Sequence, residues 1–235
     1  LLKKEGICSH SVRQLHDVYT GCGFVTLLDT GENSIVIDPG ANLKLSSQMI
    51  SEDETIIKNT EIVMAQLEIP DETVKKVLKL GKKYKRKTIL NPAPARLLPQ
   101  EVLQYVDILT PNETEAKILL GHQPDAKKTI EELAFGLLEF GIETVIITRG
   151  KQGVLIADSL GINKISAPRI SPVDSTGAGD CFNGNLAYGL SKGWSVKKAV
   201  MRAVYAGAYC TGYLGVIKGL PTKNELDQYI TKYIE

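Results

Sequence analysis

Apolar positions along the chain follow two rhythms, which change after the first forty residues. The stretch "GCGFVTLLDTGENSIVIDPG" holds two apolar runs around Asp29-Thr30-Gly31-Glu32-Asn33, where Gly and Asn supply the turn chemistry of a hairpin. The spacing predicts two paired strands over residues 20–38. Beyond it, short apolar runs alternate with stretches whose apolar residues recur every three or four positions. The runs are Glu61 to Ala65, Thr88 to Leu90, Ile108 to Thr110, "ETVIIT", "GVLIA" and Ile162 to Ala167. The helical stretches are Thr73 to Tyr84, Glu113 to Leu120, Ile130 to Phe140 and two more near the end. Such alternation predicts βαβ units on a parallel sheet. No repeat or linker divides the chain, so residues 1–235 read as one α/β domain.

Composition narrows the function classes. With 43% hydrophobic and 23% charged residues in 235, the chain has enough apolar content for a substantial core. Lys plus Arg number 28 against 27 Asp plus Glu, a net charge of +1, which offers no basic surface for nucleic acid. Cys8, Cys22, Cys181 and Cys210 lack CxxC spacing, and His10, His16 and His122 form no HExxH pattern. These features predict reduced thiols, no zinc site and a cytoplasmic location. No apolar run approaches the roughly 20 residues of a membrane span, and no signal peptide opens the chain. The opening Leu1-Leu2-Lys3-Lys4-Glu5-Gly6 lacks an initiator Met and reads as the last turn of a helix closed by glycine. That start leads us to expect further chain before it.

Candidate chemistry gathers in the loops after the predicted strands. "NPAPA" follows Ile89-Leu90, "PNETE" follows Thr110, "TRGKQG" follows Val145-Ile146-Ile147, and "DSTGAGD" follows Pro172-Val173. In doubly wound sheets, ligands bind at the carboxyl ends of the strands, so four such loops can line one crevice. Gly177-Ala178-Gly179-Asp180 places bare backbone where a helix begins. Glycine there is unfavourable for a helix but exposes N–H groups that, with the helix dipole, suit a phosphate or a developing anion. Asp180 would repel a bound phosphate unless it serves the reaction, and the natural service is to take a proton from a nucleophilic hydroxyl.

Plainer readings stand beside these. Gly-Ala-Gly also permits close helix-to-strand packing, with Asp180 as an N-terminal cap. Asn112 and Glu115 have the spacing of a capping box. Thr148 to Gly153 also reads as a hairpin turn. No GxxxxGK[ST] or GxGxxG motif is present, which disfavours a P-loop or dinucleotide fold. The histidines and Trp194 read as surface or packing residues.

Taken together, these segments resemble the ribokinases of the PfkB sugar-kinase superfamily. "DSTGAGDCFNG" is similar to the superfamily's C-terminal signature, "PNETEA" to its NxxE element and "TRGKQG" to its nucleotide loop. "NPAPA" and "PGAN" resemble segments of ribokinases in particular, which favours ribose over other sugars. The resemblance implies a three-layer α/β/α, Rossmann-like sandwich with a small β-sheet lid, to which 20–38 would contribute, and a homodimer paired through the lids. It implies transfer of the γ-phosphate of ATP to O5 of D-ribose, with Mg²⁺ and K⁺. Asp180 would be the base, and the N–H groups of Gly177, Ala178, Gly179 and Asp180 the anion hole. Asn112 and Glu115 would act near the phosphates and Mg²⁺. Thr148, Arg149, Gly150, Lys151, Gln152, Gly153 and Gly179 would hold the nucleotide, and Glu68 with Asp180 the sugar. Asp174 and the carbonyls of Thr176, Cys210, Tyr213 and Gly215 would hold the monovalent cation.

The chain also departs from the pattern. Gly219 stands where a serine often assists the cation, and Val204 where Asn or His often lies near the adenine. The family's front quarter, with its first core strands, half the lid and a ribose-gripping GGKGxN segment, has no counterpart here. The expectation is therefore a domain incomplete at its N-terminus, carrying the nucleotide and catalytic half of a longer kinase. Another sugar or nucleoside kinase of the superfamily, and a non-catalytic nucleotide-binding module, are the alternative readings.

Overall fold

Among the described residues, six strands lie side by side in chain order. These are β3 (Ile62–Ala65), β4 (Lys87–Leu90), β5 (Ile108–Leu109), β6 (Thr144–Thr148), β7 (Val154–Asp158) and β8 (Gly161–Ile165), while β1 (Thr20–Leu27) and β2 (Asn33–Gly40) form a separate antiparallel pair. The computed structural model describes residues 1–27 and 33–234. The expected turn residues Asp29, Thr30, Gly31 and Glu32 fall outside them.

Helices α1 (Ser47–Glu52), α2 (Glu54–Lys58), α3 (Asp71–Lys83), α4 (Gln100–Leu103), α5 (Glu113–Leu119) and α6 (Ile130–Leu138) precede β6 or connect the first strands. After β8 come α7 (Ala178–Ser191), α8 (Val196–Cys210), α9 (Val216–Gly219) and α10 (Lys223–Ile234). At the start, Ile7 N–H bonds to Leu2 O and Gly6 N–H to Lys3 O, with Gly6 at φ +68°. That is the closing geometry of a helical turn, as the sequence reads.

Strands buried on both faces explain the unbroken apolar runs. Successive side chains alternate sides: Leu90, Leu109 and Ile147 pack into one core with Val74, Leu78, Leu103, Leu133 and Leu137. Their neighbours Ile89, Ile108 and Ile146 pack into another with Phe182, Leu186, Val200 and Ala203. Helices α3 to α6 thus cover one face and α7 with α8 the other, giving the three-layer α/β/α sandwich. Leu226 of α10 joins Cys181, Ala206 and Cys210 on the outside of α8.

The sheet is mixed, which corrects the all-parallel expectation. β3 through β6 run parallel, but β7 pairs antiparallel with β6, and β8 with β7. A strand ending at Pro172-Val173 is also not found. β8 stops at Ile165, and the backbone N–H groups of Val173 and Asp174 bond instead to Thr211 O. Because two reversals restore the direction, β8 again ends at the same rim as β3 to β6. In the β1–β2 ribbon, Phe24 lies opposite Val36 and both are about two-thirds exposed. Among the described residues, no helix is long and apolar enough to cross a membrane.

At the opposite rim, Asp107 is 3% exposed and accepts hydrogen bonds from Thr88 N–H (2.7 Å) and Thr88 Oγ1 (3.0 Å), and pairs with Lys82. Burial pushes its carboxyl up, but Lys82 and the two Thr88 donors outweigh burial and hold it below the ordinary value. A depressed folded pKa contributes stability above the unfolded value, and that contribution is lost as pH falls through the folded one. Asp107→Ala strands the buried Thr88 N–H, and the expected loss is about 1–3 kcal/mol, read by urea unfolding at pH 7. The difference from wild type should shrink below pH 4, the ordinary carboxylate range; a constant difference would show that charge contributes nothing.

Candidate active site

Loops from four parallel strand ends converge on one rim, and hydrogen bonds tie them in pairs. After β3, Leu67 N–H bonds to Ala93 O of the loop after β4 (2.9 Å), and Arg96 Nη1 donates to Leu67 O (2.7 Å). After β5, Pro111 O accepts Thr148 N–H from the end of β6 (2.9 Å). Glu113 Oε1 then pairs with Arg149 Nε at 2.7 Å. Glu68 sits at this rim half-buried, without a hydrogen bond to the other predicted site residues. The Arg96 tie and the Glu113–Arg149 pair have no sequence signature, since each joins segments about 30 residues apart.

The β5 and β6 loops enclose a cleft of about 390 Å³ lined by Asn112, Glu113, Thr114, Thr148, Arg149, Gly150, Lys151 and Gln152. The plainer readings of these segments are realised. Residues 149–153 do close the β6–β7 hairpin, with Thr148 opposite Val154. Asn112 and Glu115 do form a capping box: Asn112 Oδ1 accepts Glu115 N–H (2.8 Å) and Glu115 Oε2 accepts Asn112 N–H (2.7 Å). The cap fixes where α5 starts and so where Asn112 stands. Burial pushes the Glu115 carboxyl up, against the lowering by Asn112. No basic side chain pairs with Glu115 among the described residues, so a bound cation would favour its ionised form.

Gly153 does not line this cleft, and the structure assigns it another task. A Cβ there would stand 2.0 Å from Ile165 O, so glycine is what lets β8 pass the hairpin. A second cleft, of about 530 Å³, lies elsewhere, between α8 and α10, lined by Tyr209, Tyr213, Tyr229 and Tyr233 among others. None of its residues belongs to the predicted nucleotide, sugar or base set, so its larger size does not make it the reaction site.

The start of α7 holds the backbone expected to face an anion. Gly177 occupies the N-cap position with φ +79° and ψ 0°, and a Cβ there would meet Val216 Cγ1 at 2.7 Å. Glycine is required on both counts. Ala178 N–H reaches Ser175 O (3.2 Å), and Cys181 N–H bonds to Gly177 O (2.9 Å). The N–H groups of Gly179 and Asp180 belong to the first turn, which has no intrahelical acceptors. Open space faces Gly179, with nothing within 4 Å of where its Cβ would be. Asp180 reaches solvent, yet the body of the protein beside it desolvates the carboxyl and raises its pKa, against a lowering by its own backbone N–H. A base raised towards neutrality suits proton removal from an alcohol.

Immediately before this turn, Asp174 organises the predicted cation loop. It is 7% exposed. Its Oδ1 accepts Thr176 N–H (2.9 Å) and Thr176 Oγ1 (2.6 Å), and its Oδ2 accepts Gly215 N–H (3.0 Å). The Thr176 hydroxyl, then the two backbone donors, hold this carboxyl below its ordinary range. Among the described residues no basic side chain neutralises it. A covered, ionised carboxylate whose partners Thr176 and Gly215 are neutral fits a monovalent cation; of the other expected carbonyls, that of Cys210 accepts Tyr213 N–H at 3.3 Å. Gly219 has a local reason: a Cβ would stand 2.7 Å from Cys210 O and 3.0 Å from its Sγ, so no serine fits there. Val204 is buried in the α7–α8 core at 6% exposure.

The chain is similar to known proteins. Residues 1–223 match the pfkB family of carbohydrate kinases. The ribokinase of Haemophilus influenzae is 34% identical over 227 residues, covering 97% of this chain and 74% of that protein. The deoxyribokinase of Salmonella typhimurium is 31% identical over 231 residues, covering 98% and 76%. The solved structure of Arabidopsis thaliana ribokinase complexed with ribose and ATP is similar with a TM-score of 0.86 and 31% identity, over 96% of this chain and 73% of that one. The chain thus spans about three quarters of the length of these relatives. With the loops gathered at one rim and the glycine turn open beside Asp180, these likenesses place the chain in the pfkB family of carbohydrate kinases.

Proposed function

We propose that the protein transfers the γ-phosphoryl group of ATP to O5 of D-ribose. The observation that carries the reading is the juxtaposition at one rim of the Asn112/Thr148–Gln152 cleft and the open first turn of α7 with Asp180. The likeness to ribokinases, one of them complexed with ribose and ATP, supplies the sugar.

In this reading the nucleotide lies along the cleft with its phosphates towards Asn112. Asp180 accepts the proton of the sugar hydroxyl as that oxygen attacks the γ-phosphorus, and the bond to the ADP oxygen breaks. The backbone N–H groups of Gly179 and Asp180 face the charge that develops on the transferred oxygens, whereas Ala178 N–H, expected to join them, is taken by Ser175 O; such fixed donors require no reorganisation during the step. Glu68, in the loop after β3, meets the sugar, and the β1–β2 ribbon closes over it as a lid. Glu115, with Asn112, would hold Mg²⁺, and Asp174 with the carbonyls of Thr176, Cys210, Tyr213 and Gly215 would hold K⁺. These ions would supply positive charge beside the phosphates and beside the loop that shapes the anion hole.

The deoxyribokinase likeness gives a second reading, in which 2-deoxyribose is the acceptor. ATP consumption by this chain with each sugar separates the two. The expected result is a kcat/KM for D-ribose at least about tenfold above that for the deoxy sugar, the scale of one hydrogen bond worth about 1.4 kcal/mol. Equal values, or a preference for the deoxy sugar, would reverse the assignment.

A further inference from the structure

Asn183 lies on the second turn of α7 at 5% exposure, a costly place for a polar side chain unless both ends of its amide are satisfied. Both are. Its Nδ2 donates to Gly179 O at 3.0 Å, and its Oδ1 accepts from Thr110 Oγ1 at 2.8 Å. The chemistry fixes these roles, because the Gly179 carbonyl can only accept. Thr110 stands at the end of β5, directly before Pro111-Asn112, with its own N–H bonded to Leu90 O at 3.0 Å. The amide therefore joins two parts of the site that the chain separates by about 70 residues.

We propose that Asn183 is a positioning residue, one that fixes the Gly179–Asp180 peptide plane against the rigid end of β5 and thereby aims the Asp180 N–H. A trans peptide is planar, so holding its carbonyl oxygen sets the direction of the N–H on the other side. The same hydrogen bond polarises the peptide and makes that N–H a stronger donor. The relay runs from the Thr110 hydroxyl to Asn183 Oδ1, and from Asn183 Nδ2 to the Gly179–Asp180 peptide. It couples the anion hole to β5, the strand that leads into the Pro111-Asn112 loop. Its consequence for turnover rests on the kinase reading; its geometry does not.

The test uses the full chain with Asn183→Leu, Thr110→Val and, as the conservative control, Thr110→Ser. Turnover of the first two should fall on the order of tenfold, less than the roughly 10²- to 10³-fold of deleting an oxyanion donor outright. KM for ATP and for the sugar should move by less than about threefold, since an interaction that matters in the transition state alone lowers kcat and spares KM. Thr110→Ser, which keeps the hydroxyl, should stay within about twofold of wild type on the same reasoning. A residue that merely stabilises the fold would lower Tm but leave kcat per folded molecule unchanged, and that result overturns the proposal. A second readout does not need catalysis: the Asp180 backbone amide resonance of ¹⁵N-labelled protein should move in Asn183→Leu and in Thr110→Val, and hold in Thr110→Ser. An Asp180 resonance unmoved by the first two would also overturn the proposal. If wild type phosphorylates no pentose, the kinase reading fails separately, and this resonance still decides whether Asn183 positions the peptide.

Discussion

Asp180→Asn is expected to lower kcat by about 10²- to 10⁴-fold, the usual weight of general base catalysis, with ATP affinity changed less than about twofold. The amide is nearly isosteric and keeps an oxygen, but it has no useful basicity. The substitution therefore separates base from cap. At the first turn of α7 the capping position belongs to Gly177, and Asp180 stands three residues inside. Its interaction with the helix dipole there is worth about 0.3–1 kcal/mol, a matter of stability and not of turnover. A merely stabilising Asp180 would thus give a slightly less stable protein of unaltered kcat. The pH profile gives a second check with a definite sign. Desolvation lifts this carboxyl above its ordinary value of 3.8, partly offset by its own N–H. The acid limb of kcat/KM should lie above that value in wild type, because protonating the base removes its function. Asp180→Asn should lose this limb. A wild-type profile with no acid limb above 3.8 would remove Asp180 from its role.

How far the sequence discloses this site depends on the range of each interaction. The six core strands are legible because each is a short apolar run, and four of the loops after them carry unusual composition. The direction of β7 is not legible: a strand buried on both faces shows the same apolar run whichever way it points. The expected strand end at Pro172-Val173 fails for a related reason. Thr211, from the end of α8, takes the backbone donors of residues 173 and 174, and nothing local announces a partner so far along the chain. Asn112 and Glu115 can be read twice, and the structure shows why: the cap that starts α5 is also what holds Asn112 at the cleft. Gly153 stands inside the nucleotide-loop motif, yet the carbonyl of Ile165 alone accounts for it. Asn183 is visible within "DCFNG", and a buried amide in a helix invites a question, but only the fold brings Thr110 to it.

Asp174→Asn is expected to abolish activation by potassium while leaving the loop largely folded, and Asp174→Ala to abolish both. Three donors converge on this carboxylate: Thr176 N–H, Thr176 Oγ1 and Gly215 N–H. Together they tie the turn before α7 to the turn before α9. Hydrogen bonds to a charged group contribute about 1.5–3 kcal/mol each. Water replaces part of what the donors lose, so the expected loss for Asp174→Ala is about 2–5 kcal/mol by the same scale. The asparagine keeps one acceptor oxygen and loses the charge. A monovalent cation about 4 Å from a carboxylate at an effective dielectric of 20 gains about 4 kcal/mol, so its loss weakens cation binding on the order of 10²- to 10³-fold. The measurement is the rate against KCl concentration at constant ionic strength, with choline as the replacement. Wild type should rise and saturate, and Asp174→Asn should stay at the low, potassium-free rate. The pH dependence of stability follows the same carboxylate. Its pKa is depressed, chiefly by the Thr176 hydroxyl, so its contribution is complete above the unfolded value and disappears as pH falls through the lower, folded one. An unchanged half-saturating potassium concentration in Asp174→Asn would sink the cation assignment. If the alanine variant nonetheless lost stability, Asp174 would stand as a tie between two turns, and the anion hole would owe its shape to hydrogen bonds alone.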